Sequence, residues 1–195
     1  YGADVLRLWV ASVDYERDVV ISDTLLTQTA ETYRKIRNTA RFLLANLYDF
    51  NPATDSVANA DLVLLDVWAL HEAFQTMARV KELYTSYAYS SIVQVLARYC
   101  SVSLSAQYLD MSKDRLYVEQ PDGILRRSAQ TAQHAILLML NQMIAPLLPF
   151  AAEDIYLALP SADKEHSIHL TRFPSGTPVL DPGPGLLWAQ LFAMR

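Results

Sequence analysis

The residues best suited to chemistry lie between Tyr33 and Leu47, in the run YRKIRNTARFLLANL. Four basic residues, Arg34, Lys35, Arg37 and Arg41, occur there with no acid between them. Drawn on a helix at about 100° per residue, Arg34, Arg37, Asn38 and Arg41 share one arc. Tyr33, Ile36, Ala40, Leu43, Leu44 and Leu47 share the neighbouring arc, an apolar stripe that a folded chain must bury. Phe42 falls beyond Asn38, about 150° from the centre of that stripe. Arginine forks suit phosphates, an amide can donate and accept at a base edge, and an exposed phenyl ring can stack an unpaired base. The same residues also allow a plainer role. The arginines can solvate a surface or pair with acids of the next helix, and Phe42 can pack sideways. Charge runs are more often solvated faces, so residue types alone favour the plainer role.

Arg126 and Arg127 form a second candidate anion site. They sit in the first turns of an expected helix, where the macrodipole disfavours cations unless Asp122 or a ligand phosphate compensates. Lys113 and Arg115 are nearly balanced by Asp110, Asp114, Glu119 and Asp122, which points to structural ion pairs. Asp163, His166 and His169 have zinc-like residue types, but they span a turn into an expected strand, so no metal site is assigned. His71 and His134 fall within helices as structural residues. Cys100 cannot make an internal disulfide and reads as a buried thiol. Serines 101, 103 and 105 have no histidine nearby in sequence, and no nucleophilic triad can be built. No catalytic residue is assigned.

The elements that must position these groups are helical. The 195 residues include only 5 glycines, 52% are apolar and 19% charged, a globular balance that excludes disorder and offers no glycine loop for phosphates. Periodicity predicts helices over about 1–11, 24–48, 61–87, 89–100, 123–145 and 153–159. The DVVIS run at 18–22 and SIHLTRF at 167–173 read as short extended or strand segments, 107–121 as irregular and 176–185 as a linker. The fold class expected is mainly α, an antiparallel helix bundle with short extended segments near both ends. Its expected divisions are 1–22, 23–160 and 161–195. Lacking an initial methionine and ending within a helical pattern, the chain reads as a piece of a longer protein. No stretch is long and apolar enough to span a membrane. The net charge of −5 argues mildly against unspecific nucleic-acid binding and requires any RNA contact to be local.

Longer stretches carry a resemblance. YGADVLRLWVAS at 1–12, with Asp14-Tyr15 and DVVIS, resembles the segment after the ATP-binding KMSKS loop of class I aminoacyl-tRNA synthetases. TYRKIRNTARFLLANLYDF at 32–50 resembles the first anticodon-domain helix of the isoleucyl-tRNA synthetase family. LDVWAL at 65–70, YLDMSKDRLY at 108–117, RRSAQTA at 126–132, APLLPFAAEDIY at 145–156 and IHLTRFP at 168–174 continue it in the same order. The chain departs from the family pattern at Val67, where many members have arginine, and at Phe173, where many have tryptophan.

The resemblance implies a helical domain that grips the anticodon stem and loop of isoleucine tRNA. Arg34, Arg37, Asn38, Arg41, Phe42, Arg126 and Arg127 are its candidate contacts. It implies a parent ligase, cytoplasmic and using ATP and magnesium, whose catalytic and editing domains would be this domain's partners in the same chain, with no membrane partner. No cofactor belongs to this piece, and zinc would belong only to a C-terminal cysteine-rich module outside it. The HIGH and KMSKS signatures do not occur here; Met111-Ser112-Lys113 follows an aspartate where that loop needs lysine. The rival reading is a helical protein–protein scaffold that turns the Arg34–Arg41 face to an acidic partner. RNA binding requires Arg34, Arg37 and Arg41 to face solvent unpaired. Isoleucine-dependent pyrophosphate exchange should be undetectable with the purified chain, and measurable exchange would contradict the absence of a catalytic site.

Overall fold

The computed structural model describes residues 1–15, 18–161, 164–174, 187–188 and 190–192. Helix α1 (Ala3–Ser12) leads through an extended connection into α2 (Asp23–Ala45). The longer helices α3 (Leu64–Thr85) and α6 (Ile124–Ile144) lie side by side. Between them in sequence run α4 (Tyr89–Arg98), a π-helical segment (Tyr99–Leu109) and α5 (Asp110–Tyr117), and α7 (Pro149–Ala158) follows α6. A mainly α bundle forms as expected, but its long pair α3 and α6 runs parallel where antiparallel neighbours were expected. Among the described residues no helix is long and apolar enough to cross a membrane.

Helix α2 starts where Ser22 accepts the Leu25 N–H at 3.3 Å, a side-chain cap on one of the first turn's unbonded donors. Its apolar arc goes inward as its spacing requires: Ile36, Ala40, Leu43 and Leu47 are buried, while Tyr33 and Leu44 are only half-buried. Ile36, Leu43, Trp68, Val80, Ile136 and Leu140 belong to one continuous apolar core. Helices α3 and α6 run parallel and are pinned at both ends. Ser128 Oγ accepts the Val63 N–H at 2.9 Å, and the Tyr84 hydroxyl donates to the Met143 carbonyl at 2.8 Å.

Several local expectations are corrected. For residues 18–22 the extended alternative holds and the strand does not, with Val19, Val20 and Ile21 exposed. SIHLTRF holds a 3₁₀ turn at Ile168–Leu170, which Ser167 caps by accepting the His169 N–H. The fifth helix begins four residues earlier than its apolar pattern suggested, with Pro149 in its first turn, where no N–H is missed. Asp4 accepts the Ala151 N–H at 2.7 Å, supplying the cap that α7 lacks locally, and Arg7 donates to the Pro146 and Leu147 carbonyls. The 176–185 linker lies outside the described residues.

The stretch 107–121, expected to be irregular, is largely helical. In the π-helical segment that leads into it, the buried residues Tyr99, Cys100, Leu104, Tyr108 and Leu109 recur every four to five positions, the wider repeat of an i→i+5 helix. Burial pushes the Cys100 thiol up to about 12, consistent with an inert core residue.

Asp66 joins this segment to the parallel pair. It has no exposed surface, yet it accepts two hydrogen bonds from Arg115, at 2.7 and 2.8 Å, one from Tyr108 and one from Ser128. Removing one partner strands the buried charge. Arg115→Met should therefore cost about 3–5 kcal/mol in urea unfolding, because Asp66 loses its counter-charge. A loss below about 1 kcal/mol, the range of an exposed pair, would contradict this.

Candidate nucleic-acid interface

The exposed side of α2 carries two parallel rows. Arg34, Arg37 and Arg41 stand at i, i+3 and i+7, and Lys35, Asn38 and Phe42 repeat that spacing one position on. All three arginines are exposed. Arg34 does not meet the unpaired expectation: among the described residues it pairs with Glu31 of its own helix, though both groups are well exposed and such a pair is weak. Arg37 and Arg41 have no carboxylate within ion-pair distance among the described residues. They line a shallow groove against α7, with Tyr33 and Asp154 on its walls. In that groove the Tyr33 hydroxyl is pushed above its usual range, first by burial and then by the charge of Asp4.

The second row faces another way. Lys35, Asn38 and Phe42 line a cleft of about 420 Å³ between α2 and the π-helical segment. Phe42 is half-buried and packs against the core, so it is neither a free platform nor a purely internal residue. The single face read from the sequence is thus a cationic ridge beside an aromatic cleft. Sequence reasoning missed the far wall of that cleft, Ser101, Ser105 and Lys113. Its only signal was serines spaced along a segment whose helical repeat is not 3.6.

The candidates on α6 are placed differently. Arg126 is buried, and its guanidinium donates to both Asp49 carboxylate oxygens, at 2.6 and 3.0 Å, and to the Leu116 and Pro121 carbonyls. This corrects its assignment as an RNA contact, because those donors are spent inside the protein. Arg127 donates to the Asp49 carbonyl and to Gln130, and lies 3.3 Å from Asp55. Both arginines tie the start of α6 to the end of α2. The partner demanded by the macrodipole is Asp49, not Asp122 or a phosphate. Burial pulls the Asp49 carboxyl up, but hydrogen bonds from Arg126 and Gln130 and the charges of Arg126 and Arg127 outweigh it and hold it below its usual range.

The histidine candidates do not assemble. His169 contacts the Pro149 carbonyl at 3.3 Å and stands 4.0 Å from Glu153, and Asp163 lies outside the described residues. Among the described residues no three ligating groups converge.

Comparison with known proteins identifies the family of the chain but tests no single site residue. A family model described as the anticodon-binding domain of tRNA ligase matches residues 66–190. The chain is 50% identical over 90% of its length to the isoleucine–tRNA ligase of Brevibacillus brevis. It is 45% identical over its full length to that of Symbiobacterium thermophilum, and 47% identical over 85% to that of Thermotoga maritima. It spans 18 to 21% of the length of those relatives. The matched region, which starts at the Asp66 anchor and takes in the π-helical wall and α6, is more than half of the chain, and the chain therefore belongs to the anticodon-binding domain family of tRNA ligases.

Proposed function

We propose that this chain is the part of an isoleucine–tRNA ligase that recognises the anticodon stem and loop of isoleucine tRNA through the exposed side of α2. The observation that carries the reading is that Arg37 and Arg41 face solvent with no ion-pair partner among the described residues, beside the Asn38–Phe42 cleft. Had those arginines been locked to carboxylates, the scaffold reading would have gained. A ridge of guanidinium groups positions phosphates, and a neighbouring aromatic cleft with an amide can take an unpaired base. The negative net charge is compatible with this, because local potential and shape govern the encounter with a folded RNA.

The whole protein, in this reading, activates isoleucine with ATP and magnesium and transfers it to the tRNA in the cytoplasm. Its catalytic and editing domains are the intramolecular partners of the bundle. The residues of this chain do not fit that cofactor, since 5 glycines scattered among 195 residues build no phosphate cradle and the nucleotide-handling signatures do not occur. Their work is to bind and orient the RNA.

Equilibrium binding of isoleucine tRNA, against the same tRNA with a changed anticodon, separates the roles. Arg37→Ala and Arg41→Ala should weaken both RNAs alike, and each should reduce the slope of log affinity against log salt by about 1. Phe42→Leu keeps an apolar plug in the core and should cost about 1–3 kcal/mol of binding with the salt slope unchanged. Asn38→Ala should mainly erode discrimination between the two RNAs. Unchanged affinity and salt slope in an Arg37→Ala/Arg41→Ala double variant would remove the arginine ridge from the interface.

A further inference from the structure

We infer that the groove between α2 and α7 seats one ribose-phosphate unit of the RNA backbone and reads the ribose 2′-hydroxyl through Asp154. The inference rests on the RNA-binding reading above and adds a wall that the arginine ridge does not include. Tyr33, Arg37 and Arg41 stand at i, i+4 and i+8 on α2, in one line along the groove. Exposed Asp154 lines it from α7, and half-buried Leu44 and buried Ile155 give it apolar surface. Opposite charges in one groove ordinarily close on each other. Here no ion pair joins Asp154 to either arginine among the described residues. Nor do the Asp154 carboxylate and the Tyr33 hydroxyl have a hydrogen-bond partner among those residues.

The groove therefore offers guanidinium donors from α2 and a carboxylate acceptor from α7, with no protein group joining them. A ligand that satisfies both carries an anion and, a few bonds away, an O–H or N–H donor. A ribonucleotide in a strand is such a ligand. Its phosphate oxygens accept from guanidinium groups, and its 2′-hydroxyl donates to a carboxylate, a common acceptor for ribose hydroxyls in nucleotide sites. A deoxynucleotide lacks that second group and brings its phosphate into the field of Asp154 with nothing to offset the repulsion. A groove of arginines alone would hold either backbone, so the acid is what turns affinity into discrimination. Burial, and then the charge of Asp4, raise the Tyr33 hydroxyl above its usual range. It stays protonated at neutral pH and can give its proton to a phosphate oxygen. The groove, about 170 Å³, has less than half the volume of the Phe42 cleft, about 420 Å³, and suits a sugar rather than a whole nucleoside.

The test uses the whole 195-residue chain and a hairpin carrying the anticodon stem and loop of isoleucine tRNA, with affinity read by fluorescence anisotropy. Each ribose of the hairpin is replaced singly by 2′-deoxyribose. One replacement should weaken binding to the unaltered protein by about tenfold. In Asp154→Ala the same replacement should change affinity by less than about twofold, because the acceptor that sensed the hydroxyl is gone. That variant should also bind the singly deoxy hairpin more tightly than the unaltered protein does, since the repelling charge is removed. A merely structural role for Asp154 would weaken both hairpins alike and overturn the proposal. Tyr33→Phe keeps the ring and should weaken both hairpins equally, by about threefold, with the salt slope unchanged. If no replacement separates the unaltered protein from Asp154→Ala while Arg37→Ala/Arg41→Ala still loses affinity, the ribose seat is wrong and the ridge reading stands. Displacement of the hairpin by a free amino acid, whose carboxylate and ammonium satisfy the same two walls, would make the groove a zwitterion site instead. If the unaltered protein does not bind the hairpin, both readings fall.

Discussion

Asp66 has no exposed surface, and a carboxylate there is tolerable only because donors from three other elements converge on it. Arg115 comes from α5, Tyr108 from the π-helical segment and Ser128 from α6, while Asp66 itself opens α3. A buried pair of this kind is weak evidence for net stability, since well-packed apolar residues often do as well. Its consequence is geometric. The four bonds are satisfied together only in one mutual arrangement of the four segments, so they fix how the π-helix lies against the α3–α6 pair.

That placement sets the cleft. The buried side of the π-helical segment is held by Tyr108 and Leu104 in the core, which turns Ser101 and Ser105 toward α2. The other wall is fixed independently. Arg126, Arg127 and Gln130 hold the end of α2 through Asp49, and the Ile36–Leu43 stripe holds its middle. The candidate interface is thus made from side chains on two helices whose relative position is determined by buried ion pairs remote from it. Sites on rigid elements of this kind keep their geometry when the partner arrives.

How much of this was legible in the sequence follows from how local each cause is. Ile36, Ala40 and Leu43 were readable because a 3.6-residue repeat is a property of neighbouring residues. Their neighbours Tyr33 and Leu44 were placed too deep, because the wheel gives direction and not what stands opposite, here the shallow groove against α7. Arg126 was misplaced because its partner Asp49 lies 77 positions away and nothing local marks the pair. The acid inside the apolar run LVLLDVWAL was a missed signal, since such a carboxylate must find a donor or stay exposed. The π-helix was missed because serine-rich sequence suggests an interruption, and its buried positions follow a repeat for which the helical template does not search. Arg34, Arg37 and Arg41 were singled out by type and spacing, but that Arg37 and Arg41 have no ion-pair partner among the described residues is a tertiary fact.

The account's central claim is that RNA meets the α2 ridge and the cleft beside it, not the other basic cluster at the start of α6. Backbone amide shifts recorded while the isoleucine anticodon hairpin is titrated into the labelled chain test it most directly. The perturbed amides are expected to concentrate over 34–42 and 101–113, with 124–131 and the Asp49 contact left in place. A map centred on Arg127 and the 51–58 loop, with α2 unmoved, would contradict the account.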